Sequence, residues 1–207
     1  MIFKKGEFQI YSLKFLRYTI YSYFRKVIKI RTGMNFSRLN LIIGWGIFAT
    51  ATIVYLLTME STASLWDCGE YITAAYKLEV GHPPGAPLFM VLGRLFSFFA
   101  SPESVALWIN AISALSSSFT ILFMFWSLTL LLKKLVQQNG HEPNSSEQHM
   151  ILISSAIASL AYTFSDSFWF SAVEGEVYAM ASLFTAVIFW AALKWDEEMR
   201  LAQQQSL

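Results

Sequence analysis

The stretch APLFMVLGRLFSFFA, residues 86–100, decides the fold. It is apolar but only 15 residues long, and it carries Arg94. A helix that crosses a bilayer needs about 20 apolar residues, so this one falls short. Whether it crosses nevertheless sets the side of every loop behind it. Upstream, Asn40 to Met59 runs 20 residues without a charge, enough to cover about 30 Å at 1.5 Å per residue. Downstream, Ser104 to Leu132 is again uncharged and closes on Lys133 and Lys134. If 86–100 crossed, those lysines would lie outside. If it lies along the interface, they join the basic amino terminus in the cytoplasm, as the positive-inside rule requires.

The second arrangement predicts an all-α polytopic membrane helix bundle. Its four spans are 40–59, 104–132, 150–164 and 177–193, with interfacial helices in the first outer loop, 60–103. A second outer loop covers 165–176, a polar inner linker QQNGHEPNSSEQ covers 137–148, and the tail 199–207 is polar.

The composition agrees. The chain is 55% hydrophobic and only 14% charged, where soluble domains run near about a quarter. A net charge of +1 carries no footprint for nucleic acid. The single cysteine, Cys68, excludes an internal disulfide and leaves the redox compartment open. Nine of the fifteen basic residues lie at or before Arg38, with Glu7 as the only acid among them. Basic and aromatic residues alternate there (Lys14, Phe15, Arg17, Tyr18), unlike a cleavable signal peptide. The leader, 1–38, reads either as a helix on an anionic inner leaflet or as an extension upstream of a start at Met34.

Charge is concentrated in the outer loops. Asp67 and Glu70 follow the first span, three residues apart, and share a face if helical. His82, Pro83, Pro84 and Gly85 come next, a turn suited to reversing the chain and starting a helix. His82 adds a proton carrier at the same interface. Trp66 and Tyr71 flank the acids as interfacial rings. In the second outer loop, Glu174 and Glu176 stand at the mouth of the fourth span, where membrane-edge carboxylates are costly. Each has a plainer reading: solvated loop charges for Asp67 and Glu70, and a favourable helix N-terminal charge for Glu176. Arg94 either snorkels to headgroups or binds a lipid phosphate. Asn110, inside the second span, suits a bond to a neighbouring helix.

The order WDCGEYITAAYKLEVGHPPGAPLFMVLGRL resembles the first outer loop of GT-C membrane glycosyltransferases. More narrowly, the chain resembles a bacterial membrane family related to the animal endoplasmic-reticulum protein O-mannosyltransferase. That family pairs a WD-x-GE loop and HPPG-P with a later AVE-x-EVYA stretch, found here at 66–87 and 172–179. The resemblance covers about Asn40 to Glu198. It implies a GT-C-like helical fold in the inner membrane of a bacterium, with a cytoplasmic amino terminus. The implied reaction is transfer of a hexose, mannose in the first instance, from a polyprenyl-phosphate donor to an acceptor hydroxyl outside the membrane. The acceptor would be protein Ser or Thr. Asp67 is the expected base, because a hydroxyl needs a carboxylate within hydrogen-bond reach. Glu70, His82, Arg94, Glu174 and Glu176 are the expected substrate-binding residues. No cofactor is specified, and the acids alone assign no metal. Members of the family carry many more spans, so the chain is expected to be an amino-terminal piece. The rival class is a non-enzymatic membrane component, a transporter fragment or an assembly subunit. A transporter would place its acids within the bilayer.

Overall fold

The computed structural model describes residues 35–205 except 84 and 139. The expected basic leader therefore lies outside the described residues up to 34, and Phe36 to Arg38 already belong to the first helix. The described residues form seven α-helices in chain order. They are α1 Phe36–Thr58, α2 Cys68–Lys77, α3 Pro87–Ser97, α4 Val105–Gln137, α5 Ser145–Thr163, α6 Asp166–Val173 and α7 Val177–Gln205. A single 3₁₀ turn, Pro102–Ser104, leads into α4.

Among the described residues three helices are long and apolar enough to cross a membrane: α1, α4 with its leading turn, and α7. The pair α5 and α6 qualifies together, bent by 64° at the break between them, which makes up to four crossings. The protein is thus an all-helical polytopic membrane bundle. The 11 residues of α3 are too few to span.

Helix α4 is the axis of the bundle. It buries residues around its whole circumference, among them Ile109, Ser113, Ser117, Ile121 and Phe125, and packs on α1, α5 and α7. Small residues dominate these contacts, as expected where lipid removes the hydrophobic drive between helices and close backbone approach replaces it. Two apolar clusters result. One, toward the loop end, joins Cys68, Ile72, Ala75, Phe89, Met90 and Ile109. The other joins Ile47, Ala51, Tyr55, Ala114, Ile121, Phe125 and Phe168.

Local signals explain the boundaries. Helix α5 begins at Ser145 because Asn144 and Glu147 form a capping box. The Asn144 Oδ1 accepts from the Ser146 and Glu147 N–H groups, and Glu147 accepts from the Asn144 N–H at 2.8 Å. At its other end, the buried Tyr55 hydroxyl donates to the Thr163 carbonyl at 2.8 Å. That bond supplies a partner to a carbonyl at the helix end, next to the bend into α6. Helix α6 lies within the stretch expected as the second outer loop. It forms because Phe168, Ala172 and Val173 can bury against the bundle.

Helix α7 continues past the expected span and carries Lys194, Asp196, Glu197 and Arg200. Lys133 Nζ lies 2.7 Å from Glu197 and Lys134 Nζ lies 2.8 Å from Asp196, tying the ends of α4 and α7. From Asn110 to Lys133 is 23 residues of α4, about 35 Å along the axis. The charged latch and the acidic loops therefore lie at opposite ends of a membrane-thick bundle.

Candidate active site

The segment between α1 and α4 folds as a helical hairpin against the start of α4. Helix α2 ends where Leu78 takes a left-handed conformation (φ 55°) and the Glu79 N–H closes on the Ala74 carbonyl at 2.8 Å. The chain then turns at His82 to Gly85, with the Gly85 N–H donating to the His82 carbonyl at 2.9 Å. Gly85 has φ 75°, which favours glycine. Pro87 opens α3 in the first turn, where no N–H is needed. Gly93 lets α3 lie directly on α2, since a Cβ there would come within 2.6 Å of the Ala75 Cβ.

The turn brings His82 back onto the acids. Its backbone N–H donates to Glu70 Oε1 at 2.6 Å, and its Nδ1 lies 3.1 Å from Glu70 Oε2. Its Nε2 stands 3.8 Å from Asp67 Oδ2. The imidazole thus sits between the two carboxylates, oriented by Glu70 and facing Asp67. The His82 backbone N–H, and then its ring, hold the Glu70 carboxyl below the usual glutamate range. Asp67 occupies the N-terminal cap of α2 but makes no capping bond, so its carboxylate is left exposed. Tyr71 forms the wall behind this group, with its ring 5.9 Å from His82 and 5.7 Å from Phe89. Burial first, and then the charges of Asp67, Tyr178, Glu176 and Glu70, raise the pKa of its hydroxyl. Trp66, directly before Asp67, is 88% exposed and held at φ 68°.

Asp67, Glu70 and His82 each offer a ligand atom within 4.8 Å of the others. A divalent cation could bridge such a set. The two contacts from His82 to Glu70 already account for the grouping without one.

The second pair of acids comes from the turn between α6 and α7. Glu174 is 8% exposed. Burial raises its pKa, a hydrogen bond from Ser64 works against this, and the nearby Glu60 adds to it. Glu176 is also raised, by burial first and then by the charges of Glu174 and Asp67. The charge of Asp67, from the other acidic segment, is thus among those that act on Glu176.

Arg94 stands apart. Its Nη1 donates to the Tyr76 carbonyl at 2.5 Å, and its guanidinium lies over the Tyr76 and Phe98 rings at 5.4 and 4.9 Å. Tyr76 is nine residues beyond Asp67, about 13 Å along α2. Arg94 therefore staples the far end of the hairpin. Arg94→Gln is expected to lower thermal stability by about 1–2 kcal/mol, from one hydrogen bond and ring contacts. An unchanged melting temperature would instead remove this stapling role.

Asn110 is the residue whose role the sequence did not disclose. Its Oδ1 faces the Cys68 thiol at the start of the neighbouring α2, with the sulfur 3.9 Å away. Its Nδ2 donates to the Glu60 and Thr62 carbonyls, both in the loop that leads to Asp67. Tyr71 lines the site beside His82 and Phe89.

The family model described as the protein O-mannosyl-transferase TMEM260 N-terminal domain matches residues 67–207, which include all six candidate site residues. The chain belongs to this family. It is similar to the protein O-mannosyl-transferase tmem260 of Dictyostelium discoideum, 29% identical over 161 residues that cover 77% of this chain and 18% of that one. The protein O-mannosyl-transferase TMEM260 of Mus musculus is 27% identical over 151 residues, covering 73% of this chain and 19% of the relative. The chain thus spans about a fifth of the length of these curated relatives. No solved structure matches.

Proposed function

We propose that this chain is the amino-terminal part of a membrane glycosyltransferase that moves mannose from a polyprenyl phosphate to a protein Ser or Thr hydroxyl. The observation that carries the reading is the Asp67–His82–Glu70 group, built on a hairpin at one end of a membrane-thick bundle. The names of the similar proteins supply the sugar and the class of acceptor.

In this reading the acceptor oxygen attacks the anomeric carbon while the lipid phosphate leaves with the bonding electron pair. The acceptor proton passes to Asp67, which is exposed and not engaged in capping. His82, oriented by Glu70, lies on the side of the leaving phosphate, which needs no strong acid. Glu174 and Glu176 bind the acceptor or the sugar hydroxyls. A transporter fragment is less well supported. The bend between α5 and α6 falls at Phe164 and Ser165, the adjacent Asp166 is exposed, and Asp67, Glu70, Glu174 and Glu176 lie outside the spanning helices.

The orientation places the amino terminus and the Lys133–Glu197 latch in the cytoplasm and the site outside. Cysteines introduced at Ser101 and Ser167, both exposed, should label from outside, and one at Glu142 should not. Outside labelling at Glu142 would reverse the orientation. The function is tested in membranes bearing the protein, given a polyprenyl-phosphate mannose and a Ser/Thr peptide. Mannosylated peptide is the expected product. Transfer that survives simultaneous replacement of Asp67 and Glu70 would overturn the reading.

A further inference from the structure

Asn110 lies in the second turn of α4 and has no exposed surface. A buried amide must find partners, since leaving it unpaired in an apolar setting is costly. Its Nδ2 donates to the Glu60 carbonyl at 2.8 Å and to the Thr62 carbonyl at 3.1 Å. Its Oδ1 faces the Cys68 thiol, with the sulfur 3.9 Å away. The same oxygen approaches Gly175 so closely that a Cβ there would come within 2.6 Å of it.

One side chain thus touches the exit of α1, the first residue of α2 and the residue between Glu174 and Glu176. Two further bonds close the arrangement. The Ser113 hydroxyl, one turn along α4, donates to the Glu176 carbonyl at 3.3 Å. The Glu60 N–H donates to the Val173 carbonyl at 3.0 Å. None of the groups that Asn110 hydrogen-bonds belongs to a spanning helix, and neither does Gly175. All lie in, or at the start of, the segments that carry the acids.

We infer that Asn110 is a positioning residue that holds the Asp67 loop and the Glu174–Glu176 loop in register, with Gly175 as its steric counterpart. The inference rests on the reading of Asp67 as the base and adds what fixes its place relative to Glu176. Cys68, the only cysteine and fully buried between Asp67 and Glu70, reports on that register without any assay of activity.

The test uses the chain in membranes, a hydrophilic maleimide, and peptide mass to read modification at Cys68. Loss of two hydrogen bonds in Asn110→Ala should speed modification by about tenfold or more as the loop opens locally. Transfer should fall by a similar factor in kcat, with the KM for the lipid donor nearly unchanged. Ser118→Ala, which removes a bond within α4 alone, should change neither. Gly175→Ala should reproduce the kcat loss by displacing Asn110. Combined with Asn110→Ser, which makes room, it should cost no more than Asn110→Ser alone.

Cys68 modification at the wild-type rate in Asn110→Ala would overturn the inference. So would additive losses in the double variant, or faster modification with unchanged transfer. If Asn110→Ala does not fold, the Gly175→Ala pair decides the question alone. Absence of transfer by the wild type would count against the proposed function, and the labelling result would then stand or fall separately.

Discussion

Asp67→Asn is expected to lower mannose transfer by about 10²- to 10⁴-fold, or roughly 3 to 5 kcal/mol of barrier, the range for a general base. The substitution keeps the volume and one hydrogen-bonding oxygen and removes the charge that would take the acceptor proton. Folding should be unaffected for a specific reason. Asp67 makes no capping bond at the start of α2, and Asn is as good a cap as Asp. A solvated loop acid would be worth within about ±0.5 kcal/mol of stability and nothing in rate. Glu70→Gln is the internal control. It can still accept from the His82 N–H but loses the charge beside the ring, so a smaller loss, about tenfold, is expected from a residue that orients His82. The measurement is initial rate of transfer in membranes at matched expression. Normal turnover in Asp67→Asn with a dead Glu70→Gln would move the base to Glu70. Normal turnover in both would remove the catalytic role from this loop.

The parts of this protein legible in the sequence are those set by local composition. Charge-free runs long enough to cross a bilayer announced α1 and α4, and the Pro-Pro-Gly turn announced the start of α3. The order of acids, histidine and turn also pointed to one site. What it could not supply was the distance between Glu70 and His82, because residues twelve apart meet only once the left-handed Leu78 has turned the chain between them. Short elements that depend on packing were hidden. Helix α6 has eight residues and no period of its own, and forms against partners already in place. The start of α5 was obscured because its capping box lies in a stretch that reads as polar linker. The carbonyls that Asn110 bonds are 48 and 50 residues away, and the carbonyl that Arg94 bonds lies on another helix. Both are polar residues in apolar surroundings, and sequence alone shows only that such residues need partners.

Glu176→Gln should show opposite signs in stability and activity, and the signs discriminate between its two readings. As a simple helix N-terminal charge, Glu176 would be stabilising, and its removal would lower the melting temperature. The structure gives it a different setting. Burial, then the charges of Glu174 and Asp67, raise its pKa, so the folded protein holds this proton more tightly than the unfolded chain does. Above the ordinary glutamate value of about 4.3, the folded state therefore binds more protons than the unfolded one. Stability then falls as pH rises from there through the raised value, so at neutral pH this carboxyl is a net cost. Gln at this position removes that cost, so thermal unfolding in detergent should move up at neutral pH. The gain should vanish below about pH 4.3, where the carboxyl is protonated in both states. Transfer should nevertheless drop by about 10²-fold, the scale for losing one preorganised group at a reacting centre. A destabilising carboxylate kept beside the proposed base fits a role toward substrate, as functional sites commonly trade stability for activity. A lower melting temperature with unchanged transfer would return Glu176 to an ordinary role at the start of α7.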